Sequence, residues 1–245
     1  MSRARGVREP RGHGGCGEIA VGARLPALVV LVTALLTGCV RVAPENVGQP
    51  VDETQLVAAR QILHGLPVVP RPTRDPGYRR AAFGPAWADT DGDGCRQRAQ
   101  SLAQHVDRTR HYTEGRRGRC AGDVSAGSWV DPYTGERLTF DDVHDPAQAS
   151  QIPVDHVVAL GSAYRYGADR WTAAERLEFA TDLQNLQPTS RLSNSSKGDR
   201  DAAAWRPRRP YQCAYATVYV EVKAKYQLPV DRPERNALDD MLDQC

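Results

Sequence analysis

Apolar residues recur at helical spacing in several stretches of the chain. Residues 54–64 have this pattern, and residues 95–109 contain neither Gly nor Pro, so both stretches are predicted to be helices. Thr172 is suited to cap a third helix over 173–183, because Glu175 follows it by three residues. Two further helices are predicted over residues 211–226 and 233–242.

Three shorter segments are predicted to be strands. Residues 127–131 and 137–140 are joined by the turn sequence Pro132-Tyr-Thr-Gly135. The third strand, 152–160, is the largely apolar run Ile-Pro-Val-Asp-His-Val-Val-Ala-Leu. The Gly- and Arg-rich residues 114–119 are predicted to form a turn. Helices and short strands together predict an α+β fold.

The first 39 residues have the pattern of an export signal. Five Arg residues precede the apolar run 25–36, which leads into Leu36-Thr-Gly-Cys39. This ending resembles the lipobox of bacterial lipoprotein signals, which implies that Cys39 is lipidated and becomes the mature N-terminus. The alternative is an ordinary secretory signal with a chance Cys. The rest divides into a polar, Pro-rich tether with a short helix, 40–75, and a domain, 76–245.

Composition fits one folded domain. Of 245 residues, 40% are apolar. A polytopic membrane protein is excluded, because no apolar run after the signal approaches the roughly 20 residues that a membrane span needs. Residues 1–39 hold five of the 32 basic and two of the 30 acidic residues, so the mature chain has a net charge of −1. That total gives no global electrostatic attraction to nucleic acid.

Local basic clusters remain as candidate nucleic-acid contacts. The densest cluster comprises Arg191, Lys197, Arg200, Arg206, Arg208 and Arg209. A solvated basic loop is the alternative interpretation.

Four cysteines remain in the mature chain besides Cys39. An even number in an exported protein indicates two disulfides. Three pairings are possible. The favoured one, in which each pair encloses a compact local segment, is Cys95 with Cys120 and Cys213 with Cys245. No Cys-x-x-Cys sequence occurs, so structural zinc and thioredoxin-type redox chemistry have little support.

Candidate chemistry lies between residues 154 and 199. Asp155 and His156 interrupt an apolar strand, where neighbouring side chains point to opposite faces, so one polar group must point inward or into a cleft. Such burial requires a partner, for example a metal ion. Asn185 and the sequence Asn194-Ser-Ser-Lys-Gly-Asp199 follow. Carboxylate and amide oxygens suit Mg²⁺ or Ca²⁺, a neutral imidazole can deprotonate water, and a Lys can contact phosphate.

This ordered set resembles the HNH endonucleases, also called His-Me finger or ββα-metal nucleases. Among the HNH endonucleases, the sequence is similar to an exported bacterial branch related to the C-terminal domain of GmrSD-type restriction enzymes. The resemblance runs from Asp89 to the C-terminus. The sequences that carry it are Asp131-Pro-Tyr-Thr-Gly135, Val154-Asp-His-Val-Val-Ala-Leu160, Asn185-Leu186, Asn194-Ser-Ser-Lys-Gly-Asp199 and Trp205-Arg-Pro207. It implies a ββα-metal (HNH) finger embedded in a disulfide-containing, mostly helical α+β domain.

The resemblance also implies roles for individual residues. His156 is the implied general base that activates water, and Asp155 and Asn194 are the implied ligands of one Mg²⁺ or Mn²⁺ ion. Asn185 is expected to brace the loop and orient the catalytic His, and Lys197 to contact phosphate. Asn194 replaces the His of the third motif position, which favours Mg²⁺ over zinc. The alternatives are a satisfied core histidine at 156 and a loop with a helix start at 194–197.

Aromatic residues and a second histidine accompany these motifs. Tyr133 and Trp205 are interpreted as packing residues beside the site, with base stacking as the alternative. His144 is interpreted as a solvated loop residue.

An acidic loop is a candidate second metal site. Asp89, Asp91, Asp93 and Gly94 match the first half of an EF-hand-type calcium loop. Position 12 is Gln100, where the full motif has a bidentate Glu. The segment is therefore either a weak Ca²⁺ loop or a polar turn held by Cys95.

Together these features predict a monomeric, exported, metal-dependent endonuclease that is lipid-anchored to the outer face of the cell membrane or secreted. Its expected substrate is nucleic acid, DNA in particular. One alternative is a non-catalytic surface module that holds a structural cation and binds nucleic acid or another anionic polymer. Another is a calcium-stabilised protein that contacts the cell wall.

Overall fold

Helices dominate the part of the chain that the computed structural model describes, residues 50–72 and 76–245. Its α-helices are α1 (Glu53–Gly65), α2 (Gln97–His105), α3 (Pro146–Ala149), α4 (Leu160–Arg165), α5 (Ala173–Thr181), α6 (Arg191–Lys197), α7 (Gln212–Lys225) and α8 (Arg232–Leu242). Its strands are β1 (Thr113–Arg117), β2 (Cys120–Val130), β3 (Arg137–Phe140), β4 (Val154–His156) and β5 (Leu186–Pro188). Single 3-10 turns are Arg80–Phe83, Ala168–Arg170, Leu183–Asn185 and Arg209–Tyr211. The predicted α+β class is confirmed.

The strands form two small antiparallel sheets. β1, β2 and β3 make a three-stranded sheet in that order. β4 and β5 make a two-stranded ribbon, in which Asp155 pairs with Gln187 and His156 with Leu186. Only Thr189 and Ser190 separate β5 from α6, so the ribbon and this helix form one local unit.

A buried aspartate fixes the start of α6. Ser190 caps the helix, because its hydroxyl accepts a hydrogen bond from the backbone N–H of Ser193. The carboxylate of Asp131 accepts from Ser190 N at 3.1 Å and from Ser193 Oγ at 2.7 Å. It also accepts from Tyr133 N at 2.9 Å. Asp131 thereby joins the turn after β2 to α6 and sets Tyr133 beside that helix.

Capping boxes explain where α1 and α5 begin. At α5, Thr172 Oγ1 accepts from Glu175 N at 3.2 Å, while the Glu175 carboxylate accepts from Thr172 N at 2.7 Å. Asp52 and Gln55 exchange the same two bonds at α1. The helix predicted over 173–183 is confirmed from Ala173 to Thr181, and its predicted N-cap is correct.

The largest apolar core lies among α1, α4, α5, α7 and α8. Fully buried members include Leu63, Phe179, Tyr215, Val220 and Leu238. Because Ala59 and Leu63 have no exposed surface, α1 contributes to this core. A smaller core surrounds Trp129 and lies between α2 and the three-stranded sheet.

Two local predictions need correction. The strand predicted over 152–160 is too long at both ends, because β4 covers only Val154–His156. The side chain of Asn185 binds the backbone N–H of Val158, beyond the strand. The chain then turns into α4. The turn predicted over 114–119 is wrong for its first four residues, because β1 continues to Arg117. The chain turns only after the strand, where Gly118 has a φ of 62°. All five residues of β1 are exposed, so backbone pairing with β2 holds this strand.

The favoured cysteine pairing is confirmed. Cys95 is bonded to Cys120, and Cys213 to Cys245. The first disulfide ties the start of α2 to β2, and the second ties the start of α7 to Cys245, three residues beyond the end of α8. Each disulfide therefore closes a local loop beside one of the two cores.

The predicted signal and its lipidation residue Cys39 lie outside the described residues. So does most of the polar segment before α1. No helix in the described ranges has both the length and the apolar character needed to cross a bilayer.

Candidate functional site

The β4–β5 ribbon and α6 bring four of the predicted site residues together. Asp155 and His156 end β4 and are both buried, 6% and 5% exposed. Because successive strand residues point to opposite faces, the two side chains have different surroundings. Asn185 precedes β5, and Lys197 ends α6.

The carboxylate of Asp155 is held by an ammonium and a phenol. Lys197 Nζ lies 2.9 Å from Oδ2 and 3.2 Å from Oδ1, and Tyr133 Oη donates to Oδ2 at 2.7 Å. Burial raises the pKa of the Asp155 carboxyl, and the ammonium of Lys197 opposes that rise by stabilising the carboxylate. Burial also raises the pKa of Tyr133, so its hydroxyl stays protonated and donates.

Lys197 is fully buried. Besides binding Asp155, its ammonium donates to the carbonyl oxygen of His156 at 2.7 Å. A contact between Lys197 and a substrate phosphate, as the sequence predicts, would require the ammonium to leave these partners. In this arrangement the ammonium of Lys197 connects α6 to β4 and neutralises the carboxylate of Asp155.

His156 is held in one tautomer. Its Nε2 lies 2.9 Å from the carbonyl oxygen of Ala180, and because a carbonyl can only accept, Nε2 donates and Nδ1 keeps the lone pair. Burial lowers the pKa of His156 to about 3, with a further lowering by the positive charge of Arg80. The imidazole is therefore neutral at physiological pH, and no described residue donates a hydrogen bond to Nδ1.

A small cavity opens onto His156. It has a volume of about 270 Å³, and Arg80 and Trp87 are among its lining residues. The rings of Trp87 and His156 are stacked, with centroids 6.1 Å apart and planes inclined by 11°.

Asn185 closes the loop that follows His156. Its Oδ1 accepts from Val158 N at 2.8 Å, its Nδ2 donates to Val158 O at 3.3 Å, and its backbone oxygen accepts from Val157 N at 2.8 Å. Asn185 has no exposed surface. These contacts are the kind that the predicted bracing role requires.

Asn194 lies one turn before Lys197 on α6 and is partly exposed. Within the described ranges its side-chain amide has no hydrogen-bond partner. Oδ1 of Asp155 accepts a hydrogen bond from Lys197 Nζ at 3.2 Å, and a carboxylate oxygen can bind more than one partner. The donor set of carboxylate and amide oxygens therefore fits a hard divalent ion, with the Lys197 ammonium as a competing positive charge.

The acidic loop has its carboxylates close together. One oxygen each from Asp89, Asp91 and Asp93 lies within 4.8 Å of the others, and no other group of three acidic, His or Cys residues in the described ranges is spaced for a metal. Gln100 Nε2 donates to Asp91 Oδ2 at 2.8 Å and to Asp93 Oδ2 at 2.9 Å. Position 12 of the loop thus faces the carboxylates with an amide.

The predicted basic cluster does not form one free surface. Lys197 is buried, Arg206 pairs with Asp240 at 3.0 Å, and Arg209 donates to Gln244 at 2.7 Å. His144 was expected to be solvated, but its side chain is only 24% exposed, with Nε2 2.6 Å from Asp123.

Three residues beside the site were not assigned to it from the sequence. Tyr133 binds Asp155 through its hydroxyl and packs edge-on against Trp205, with ring centroids 5.0 Å apart. Its packing was predicted but its hydrogen bond was not. Arg80 and Trp87 reach His156 from a segment between two predicted helices, and no sequence signal distinguishes them from surface residues.

The fold and site define a disulfide-stabilised α+β domain that holds a neutral histidine at a cavity beside a buried Asp–Lys pair. The chain belongs to the family described as GmrSD restriction endonucleases, C-terminal domain, whose profile matches residues 97–241. It is also 34% identical over 222 residues to an uncharacterized secreted protein from Arthroderma benhamiae, covering 89% of this chain and 97% of that protein. No solved structure matches the chain. The family links this protein to nucleases.

Proposed function

We propose that this protein is a metal-dependent endonuclease of the HNH type that hydrolyses phosphodiester bonds of nucleic acid, DNA in particular, outside the cytoplasm. The observation that carries the proposal is the state of His156. Its Nε2 donates to Ala180 O, while Nδ1 is an acceptor without a partner among the described residues, on a neutral ring beside a cavity. A general base needs this combination of protonation state and access.

The order of elements supports the HNH assignment. Asp155 and His156 lie on the first strand of an antiparallel ribbon, and Asn194 lies on the helix that follows its second strand. Strand, strand and helix therefore follow in the order of a ββα finger, with a long insertion between the strands. The family match supports the same nuclease assignment.

His156 acts on the attacking water. Nδ1 accepts a proton from water as the water oxygen bonds to phosphorus, the P–O3′ bond breaks, and the leaving oxygen takes a proton from solvent. The carbonyl of Ala180 fixes the tautomer, and the stacked ring of Trp87 limits tilting of the imidazole. Asn185 fixes the backbone directly after His156.

Asp155 and Asn194 would hold one Mg²⁺ or Mn²⁺ ion. The ion would stabilise the charge of the pentacovalent phosphate and of the leaving oxygen. Lys197 keeps the carboxyl of Asp155 ionised in a buried position. The positive charge of Lys197 also lowers the affinity of Asp155 and Asn194 for a metal ion. We therefore expect the metal ion to bind more tightly when a phosphate is present.

Export is part of the proposal. The relative from Arthroderma benhamiae is named as a secreted protein, and the two disulfides suit an oxidising compartment. The proposal also includes a lipid at Cys39 and a monomeric state. Nucleic acid outside the cytoplasm is then the accessible substrate.

The test is a cleavage assay with the purified protein, both disulfides formed, on supercoiled plasmid and on single-stranded DNA. Mg²⁺, Mn²⁺ and EDTA are compared for the parent, His156→Ala and the control His111→Ala, which alters an exposed histidine. We expect metal-dependent nicking that is lost only in His156→Ala. Equal activity in both variants would remove His156 from the mechanism.

A non-catalytic binding module is the second candidate. The observation in its favour is that Lys197 already neutralises Asp155 without a metal. DNA binding without cleavage under any metal, by a protein that unfolds cooperatively, would favour this module over the nuclease.

A further inference from the structure

A segment outside the matched family region forms one wall of the His156 cavity. The region that the family profile matches begins at residue 97, whereas Arg80 and Trp87 lie before it and line the cavity with His156. The wall is therefore supplied by a part of this chain that the family match does not cover.

The segment is fixed firmly to α5. Phe83 is buried, with its ring centroid 6.2 Å from that of Phe179, and Arg176 Nε donates to Ala82 O at 2.9 Å. Gly84 has a φ of 82°, and a Cβ there would lie 2.9 Å from a methyl carbon of Leu177. The backbone beside Arg80 therefore has a defined position.

Trp87 closes the other end of the segment. Its φ is 57°, a left-handed conformation that a residue with a large side chain rarely adopts. This backbone places the indole parallel to the imidazole of His156. A strained conformation kept at a ring stacked on a buried histidine points to a role at that cavity.

Arg80 brings an exposed charge to the same cavity. Its guanidinium has no hydrogen-bond partner in the described ranges, and no other lining residue of the cavity is a lysine, an arginine or an acidic residue. Arg79 differs, because its guanidinium donates to Pro76 O at 2.7 Å and to Tyr78 O at 2.8 Å. An anion that enters therefore meets one guanidinium, one imidazole and no carboxylate.

We propose that Arg80 binds the phosphodiester group of a nucleic acid at the His156 cavity. This proposal rests on the proposed function and adds a substrate-binding residue to it. A guanidinium offers paired N–H donors that match two oxygens of one phosphate. The ammonium of Lys197 is committed to Asp155, so Arg80 supplies the cation for the phosphate that Lys197 was expected to supply.

Binding in EDTA tests the proposal separately from cleavage. The probe is a fluorescent duplex DNA of 20 base pairs, titrated at several salt concentrations with the parent, Arg80→Ala, Arg80→Lys and Arg79→Ala. We expect Arg80→Ala to weaken binding about tenfold, as befits loss of a charged hydrogen bond. The slope of log affinity against log salt should fall by about 0.9, the value for one phosphate contact.

The control variants define the outcome. Arg80→Lys should keep the salt slope and recover part of the affinity, and Arg79→Ala should match the parent. Equal affinities for Arg80→Ala and Arg79→Ala, or a parent that does not bind DNA, would overturn the proposal. If the parent cleaves DNA but Arg80→Ala binds DNA like the parent, the role of Arg80 is wrong and the nuclease assignment stands. If Arg80→Ala binds DNA more weakly but the parent does not cleave DNA, the nuclease assignment is wrong and the role of Arg80 in binding stands.

Discussion

The ammonium of Lys197 lies 2.9 Å from Oδ2 of Asp155, and neither side chain is more than 7% exposed. This ion pair joins the end of α6 to β4, the two elements that carry the predicted site. A buried pair contributes little over an apolar pair of the same shape, but removing one partner leaves a buried charge behind. The pair therefore makes the site dependent on both residues at once.

Lys197→Met should lower the free energy of unfolding by about 3–5 kcal/mol, because the carboxylate of Asp155 would lose its counter-charge in a buried position. Urea unfolding followed by circular dichroism measures the loss. Combining Lys197→Met with Asp155→Asn should restore part of it, since no buried charge remains.

Lys225→Met is the control for this prediction. Its ammonium also binds a carboxylate, Asp182 at 2.8 Å, but its side chain is 46% exposed. An exposed pair contributes about 0–1 kcal/mol. Similar losses for the Lys197 and Lys225 variants would contradict the view that burial makes the first pair critical.

Asn194→Ala should weaken metal binding without unfolding the protein. The side chain is partly exposed and bonds to no described residue, so its loss removes an oxygen ligand and little packing. Calorimetric titration with Mn²⁺ should give an affinity lower by on the order of tenfold or more, the size of effect seen when even supporting residues of metal sites are removed. Ser195→Ala, on the exposed side of the same helix, should bind Mn²⁺ like the parent. Superimposable isotherms for both variants would exclude Asn194 as a ligand.

Local sequence signals predicted much of the fold. The capping pair Thr172 and Glu175 gave the start of α5, because a cap depends on residues three positions apart. Both disulfides followed from cysteine spacing. The strand over 152–160 was predicted too long, because Asn185, 27 positions after Val158, turns the chain there. Periodicity cannot report such a contact.

The candidate site could be predicted only as far as its motif residues. Asp155 and His156 were identified because buried polar residues inside an apolar run require a compensating partner. The burial of Lys197 could not be foreseen, since a lysine one turn after Asn194 looks like a surface residue until α6 is packed on β4. Arg80 and Trp87 reach His156 through the packing of Phe83 on α5, a tertiary contact without a local signature.

Calcium binding by the acidic loop stays a prediction, and substitution of Gln100 at position 12 of the loop tests it. Gln100 directs its amide Nε2 at Asp91 and Asp93, so Gln100→Glu would replace a donor by a carboxylate. Because carboxylate count tunes calcium affinity, we expect Gln100→Glu to bind Ca²⁺ about tenfold more tightly than the parent in calorimetry, and Asp91→Ala to lose binding. Gln104→Glu, at an exposed position of α2, should change nothing. No calcium heat from either the parent or Gln100→Glu would leave a polar turn held by Cys95.

His105 should make the protein less stable as the pH falls. Its ring nitrogen Nδ1 donates to Ser101 O at 2.8 Å, and burial lowers the pKa of the imidazole below its ordinary value. Between that ordinary pKa, about 6.5, and the lower folded one, the unfolded chain holds a proton that the folded chain lacks. Stability should therefore fall from about pH 7 downward, with a slope of at most about 1.4 kcal/mol per pH unit from this residue.

The measurement for His105 is the free energy of unfolding at pH 7, 6 and 5 for the parent, His105→Gln and His111→Gln. His156 contributes in the same direction, so the difference between variant and parent is the informative quantity. We expect a shallower pH dependence in His105→Gln, whereas His111→Gln, at an exposed position, keeps the slope of the parent. Parallel curves for the parent and His105→Gln would mean that His105 takes up its proton equally readily in the folded and unfolded chains.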